Sequence, residues 1–179
     1  MRTSPADAEL IVRSLEIAAD RAGDLASSLR YGETELALDV EAVDARGLIC
    51  EPLYQDDFMV LARKDDGDRR LPLDADRYLE ARHVTLRWTR SPKGSPVDQR
   101  LDALGLERRV ALAMPTLSGC ASAVACSDLL FTIHRRIATA LALRFGLALH
   151  PMPIAVAPVT LFQIWHERSA KDAGHVWLR

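Results

Sequence analysis

A chain of 179 residues, 49% of them hydrophobic and 27% charged, has room for one domain or two small lobes and enough apolar side chains for a packed core, which excludes bulk disorder. The formal net charge of −2 excludes a stand-alone nucleic-acid binder of the usual basic kind, whose affinity comes from cationic side chains that neutralise phosphates. Aromatic residues make up only 6%, so an aliphatic core is expected.

Ser4 followed by Pro5 reads as the N-cap and first residue of a short helix over 5–13. Residues 15–19 (LEIAA) alternate as a strand does. Apolar positions 22, 25, 26 and 29 make a helical face over 22–31, and Gly32 stops it. With a strand at 35–40 the opening reads as β-α-β with a parallel crossover. Strands follow at 47–53 and 57–63, then a charged loop, DDGDRR, at 65–70. A short helix is expected at 74–80 and a strand at 83–88. Ser95-Pro96 repeats the cap signature and opens a helix over 96–104 that ends at Gly105. The pattern then continues as strand 108–113, helix 117–125, strand 128–133, helix 135–145 stopped by Gly146, and strands 147–153 and 158–166. The last residues, DAGHVWLR, read as the first turn of a helix.

The alternation of strands and helices predicts an α/β fold of two lobes with two crossovers. The charged loop and the proline-closed strand near 150 divide it into a first lobe, 1–65 plus 147–179, and a second, 66–146. The three cysteines, Cys50, Cys120 and Cys126, are odd in number and form no C-x-x-C pair, which fits reduced thiols in a cytoplasmic protein. Residues 1–12 show no basic start followed by an apolar run, so no signal peptide is read. No stretch approaches the ~20 apolar residues of a membrane span.

Four stretches in order resemble the effector-binding domain of LysR-type transcriptional regulators: DLASSLRYGETELALDV (24–40), GLICEPLYQDDFMVLARKD (47–65), residues 97–138 from VDQR to HRRIA, and LFQIWHERSAKDAGHVWLR (161–179). The departures are Glu35 and Asp39 in place of the family's Asp and Gly, and His134 where a Pro commonly precedes the paired arginines. The resemblance implies a two-lobed fold of the type 2 periplasmic-binding-protein kind. It implies a small effector held between the lobes and a homodimer or homotetramer. DNA contact would be supplied by the family's N-terminal winged helix-turn-helix, which is outside this sequence. It implies no cofactor and no membrane.

A small anionic or aromatic metabolite would suit helix N-termini, where free N–H groups and the helix dipole favour negative charge. Eight residues are therefore singled out. Ser4, Ser95, Pro115, Thr116 and Ser118 lie at helix starts, where capping alone explains the hydroxyls equally well. Thr85 and Thr132 lie near the ends of strands, where α/β sheets bind ligands, although a strand threonine also simply packs. Arg87 offers a planar fork for a carboxylate, against the commoner role of a solvated arginine. His134, His150 and His166 lack metal-ligand spacing, and Ser118-Gly119-Cys120 lacks the flanks of a nucleophile elbow. No catalytic set and no metal site are read. The alternatives are a solute-binding protein on the same scaffold and a truncated remnant that no longer senses anything.

Overall fold

The computed structural model describes residues 21–64, 73–87 and 95–179, with side chains from residue 25 onward. Ser4, the helix expected at 5–13 and the strand expected at 15–19 lie outside the described residues, and so does the parallel crossover that depended on that strand.

In chain order the elements are α1 (Arg21–Tyr31), β1 (Ala37–Asp39), β2 (Leu48–Asp56), β3 (Phe58–Arg63), α2 (Ala75–Glu80), β4 (Arg82–Leu86), α3 (Pro96–Ala103), β5 (Arg109–Met114), α4 (Leu117–Ala125), β6 (Leu130–His134), α5 (Arg135–Phe145), β7 (Leu147–Pro151), β8 (Val159–His166) and α6 (Ala173–Leu178). They form two compact units. One holds the described residues as far as Gln55 together with Val159–Arg179; the other is Asp56–Pro158.

The first unit carries a three-stranded sheet of order β1-β8-β2, with β1 antiparallel to β8. Leu25 and Leu29 are four apart on α1 and share a face, and they pack on Ile164 of β8. The short α6 is tied down at both ends. Asp172 caps it by accepting from the His175 N–H at 2.8 Å, and His175 Nε2 donates to the Glu35 carbonyl at 2.9 Å. The Arg179 guanidinium lies 4.3 Å above the buried Trp165 ring.

Gly47 decides how β8 leaves this sheet. Its φ is +84°, and a Cβ there would stand 2.9 Å from His166 Nε2, while its carbonyl accepts from the Glu167 N–H at 2.8 Å. Gly105 has a similar φ of +67° with nothing within 4 Å of its missing Cβ. Gly105→Ala should therefore cost only the left-handed backbone penalty, about 1–2 kcal/mol. Gly47→Ala should cost roughly 1 kcal/mol more, because the imidazole is held by its own hydrogen bond to the Arg168 N–H. Urea unfolding of the two variants checks the difference.

The second unit is built on a five-stranded sheet of order β5-β4-β6-β3-β7. β4 runs parallel to β5 and β6, whereas β3 is antiparallel to β6 and β7. The division drawn at the charged loop puts β3 and β7 in the first lobe, whereas β3 pairs with both β6 and β7 and all three strands belong to the second unit. The boundary follows strand pairing, whereas the charged loop marks only solvent exposure. Met59, Leu61, Val84, Phe131 and Ile133 project from one face of this sheet onto Cys120, Ala121 and Val124 of α4 and Ala138 of α5. The two-residue strand period sends their neighbours His83, Thr85 and Thr132 to the opposite face. Tyr78 of α2 is buried against that opposite face, bonded to Thr132 and set edge-on to the His83 ring.

Candidate functional site

The parallel strands β4 and β6 end side by side. Their register pairs Val84 with Phe131, so one residue further on Thr85 lies beside Thr132. The carboxyl ends of parallel strands are where open α/β sheets bind ligands. Across these ends sits the start of α3, fixed by a complete capping box. Ser95 Oγ accepts from the Asp98 N–H at 3.2 Å, and the Asp98 carboxylate accepts from the Ser95 N–H at 3.1 Å. Thr85, Ser95 and Thr132 together with Phe58, Val97 and His134 line a recess of about 10 Å³. That is room for one water-sized group.

Three of the eight residues singled out from sequence thus meet. The others do not. Thr116 caps α4 by accepting from the Gly119 N–H at 3.1 Å. Pro115, Thr116 and Ser118 are exposed, and none of the three lines the recess. The Ser118 hydroxyl is 3.5 Å from that of Thr116. Arg87 is exposed, and its backbone N–H continues the sheet to the Met114 carbonyl at 2.8 Å.

Behind the recess lies a polar network that no motif in the chain announces. Arg108 is buried, and its Nε donates to Asp98 Oδ1 at 2.7 Å. One of its terminal nitrogens reaches Ser95 Oγ at 3.4 Å, and its charge acts on the neighbouring Tyr78 phenol. Tyr78 Oη is in turn 2.9 Å from Thr132 Oγ1. His83 Nε2 sits 2.7 Å from the Tyr78 carbonyl. A carbonyl only accepts, so Nε2 carries the proton and the ring is the neutral Nε2–H tautomer.

Electrostatics follow from this packing. Burial pushes the Tyr78 phenol above its ordinary range, against the nearby Arg108 charge. Burial also raises Asp98, but the Arg108 hydrogen bond and charge outweigh it and hold the carboxyl below the usual carboxylate range. Burial lowers His83 to about 4, and it lowers His134 as well against the pull of Asp56. Cys120, raised by burial to about 11, stays a protonated thiol at neutral pH and is a poor nucleophile. Among the described residues no group of three or more His, Cys, Asp or Glu side chains is placed to hold a metal.

A second, larger groove of about 220 Å³ lies beyond β7, lined by Phe58, Met59, Pro151, Met152 and Ile154, with the Arg135–Asp57 ion pair (3.2 Å) among its walls. None of the described residues singled out from sequence lines it.

The profile of the family described as LysR substrate binding domain matches residues 14–179. The chain belongs to the LysR substrate-binding domain family. Among its LysR-type relatives, the transcriptional activator NahR of Pseudomonas putida is 28% identical over 160 residues, covering 89% of this chain and 53% of the relative. The activator NagR of a Ralstonia species is 27% identical over 158 residues, covering 88% and 52%. The chain therefore spans about half the length of the curated relatives it matches. The crystal structure of the probable transcriptional regulator PA0477 from Pseudomonas aeruginosa superposes with a TM-score of 0.72 at 28% identity, over 86% of this chain and 50% of that one. The expected fold class, the α/β periplasmic-binding-protein-like fold of LysR regulatory domains, is thus the one observed. Among the described residues no helix is long and apolar enough to cross a membrane.

Proposed function

We propose that this LysR domain senses a small-molecule effector and passes its binding on to a DNA-binding segment of a cytoplasmic, oligomeric regulator. The observation that carries the reading is the recess where Thr85, Ser95 and Thr132 converge at the carboxyl ends of β4 and β6. It is polar at one wall and apolar at the others, which suits the head of a small aromatic or aliphatic carboxylate whose remainder lies outside. Such a ligand alters the regulator only by binding one of its conformations better than another. The nearby hydroxyls and histidine include no nucleophile with an activating base, so the recess fits recognition better than turnover.

Thermal unfolding of the purified chain with pooled short-chain and aromatic carboxylates tests this. A ligand at a hundred times its Kd contributes about 2.7 kcal/mol, a rise of roughly 5–10 °C for a domain of this size. A cooperatively unfolding protein that no pool stabilises would count against effector sensing.

A further inference from the structure

His134 lines the recess, and its Nε2 is buried with no hydrogen-bond partner among the described residues. We propose that His134 is a specificity-determining residue: its Nε2 binds an oxygen of a ligand carboxylate, and the ring takes up one proton as that carboxylate is seated. The proposal rests on the effector reading above and names the group that answers the ligand's charge.

His134 ends β6 and stands opposite Phe58 of β3, with the two rings 4.9 Å apart. Both rings line the recess together with Thr132, so the space a ligand oxygen would fill lies beside this imidazole. A buried polar atom left without a partner is costly, which favours a bonding group there. The other polar groups of the recess already have bonds. Ser95 donates to Asp98 Oδ2 at 2.6 Å while accepting from the Asp98 N–H and from Arg108. Thr85 donates to the Leu86 carbonyl at 3.3 Å, and Thr132 shares a hydrogen bond with the Tyr78 hydroxyl.

Among the described residues, no side chain lining the recess carries a carboxylate, an ammonium or a guanidinium. A carboxylate seated there would lose its hydration and gain no counter-charge unless the imidazole supplied one. The charges around the ring have partners of their own. Asp56, which precedes β3, accepts from the Arg136 N–H at 3.1 Å, and Asp57 pairs with Arg135 at 3.2 Å. Arg108 is bonded to Asp98 behind the recess, and His150 lies on β7, beyond β3. His83 donates to the Tyr78 carbonyl, and burial lowers it to about 4 and pushes the Tyr78 phenol up, so both stay uncharged near neutral pH. Burial also holds His134 below the ordinary histidine range, against the pull of Asp56, so without a ligand the ring is uncharged at neutral pH. A carboxylate oxygen at Nε2 favours the imidazolium and raises that value. Affinity therefore rises as pH falls from the bound value towards the free one.

Calorimetric titration of the full chain with benzoate tests this in wild type, His134→Gln and His134→Phe. The His134 side chain makes no capping bond to α5, so neither substitution removes one. Titration near pH 6.5 in phosphate and in Bis-Tris, whose ionisation heats differ, counts the protons taken up, and benzoate itself stays ionised there. Wild type should take up at least about half a proton per benzoate, and should bind it at least about threefold more tightly at pH 6 than at pH 8. Benzamide, which is uncharged, should bind without proton uptake. His134→Gln keeps a polar group but does not titrate, so its uptake should vanish and its affinity should be equal at the two pH values. His134→Phe should weaken benzoate about tenfold at pH 6, the worth of one hydrogen bond. A merely structural histidine would alter affinity alike at every pH. Benzoate binding by wild type without proton uptake would overturn the assignment while leaving effector sensing intact. Uptake retained in His134→Gln would do the same, since the proton would then sit on the benzoate. No saturable binding of benzoate would overturn both.

Discussion

Asp98→Ala will destabilise the second unit by about 3–5 kcal/mol, and Arg108→Met by roughly half as much. The two partners of this ion pair differ in what solvent does for them. The Arg108 side chain is 3% exposed and that of Asp98 is 32% exposed. Removing the carboxylate strands a guanidinium out of water, and it also dissolves the capping box of α3, worth about 1 kcal/mol on its own. Removing the guanidinium leaves a carboxylate that still reaches solvent and still accepts from Ser95. Methionine refills much of the arginine stem, so packing loss is small. The double variant should cost less than the sum of the single ones, by about 1–3 kcal/mol, because neither charge is then orphaned. Urea unfolding of the four proteins gives the cycle; equal single costs that add would contradict the network.

His83 should make the same unit acid-sensitive well above the carboxylate range. The ring is fully buried, its Nε2 donates to the Tyr78 carbonyl, and its Nδ1 has no partner among the described residues. Burial lowers it to about 4, and the neighbouring Arg108 charge acts in the same direction against the Tyr78 carbonyl. The folded value thus lies below the unfolded one, near 6.5. Its stabilising contribution is complete above pH 6.5, declines as pH falls from 6.5 towards 4, and is lost below that. The shift corresponds to about 3 kcal/mol. His134 and His150 are lowered by burial too and add to the same decline. The urea midpoint should therefore fall steadily between pH 7 and pH 4.5, and His83→Gln should flatten the curve over that interval. An unaltered slope in the variant would show that His83 is not the group being forced to charge.

Local chemistry explains which parts of the structure were legible in the sequence. Ser95-Pro96 announced α3 because a serine cap and a proline at the first helical position need no tertiary partner to act. The alternation in 158–166 announced β8 for the same reason. Sheet membership was not legible: alternation says which side chains share a face, but not which strand lies alongside, so β3 and β7 were placed with the wrong unit. At the site, Ser95, Thr85 and Thr132 were found because strand ends and helix starts converge at sheet edges. Arg108 was missed because nothing in the sequence distinguishes it from Arg109, yet one is buried on Asp98 and the other exposed. Tyr78 and His83 read as ordinary helix and strand residues, since Tyr78 acts through a bond to Thr132, 54 residues away, and His83 through the Tyr78 carbonyl that this packing places beside it. His134 stands out in the sequence as a departure from a family proline and as a histidine without metal-ligand spacing, and its place in the recess follows from the register of β6 against β3.

Amide chemical-shift mapping of the uniformly labelled chain, titrated with benzoate, tests the central claim most directly. Effector recognition at the carboxyl ends of β4 and β6 predicts saturable shifts at Thr85, Ser95, Val97, Thr132 and His134, with Thr116 and Ser118 little changed. Saturable shifts confined instead to Met152 and Ile154 in the groove beyond β7, or no saturable shifts at all, would contradict it.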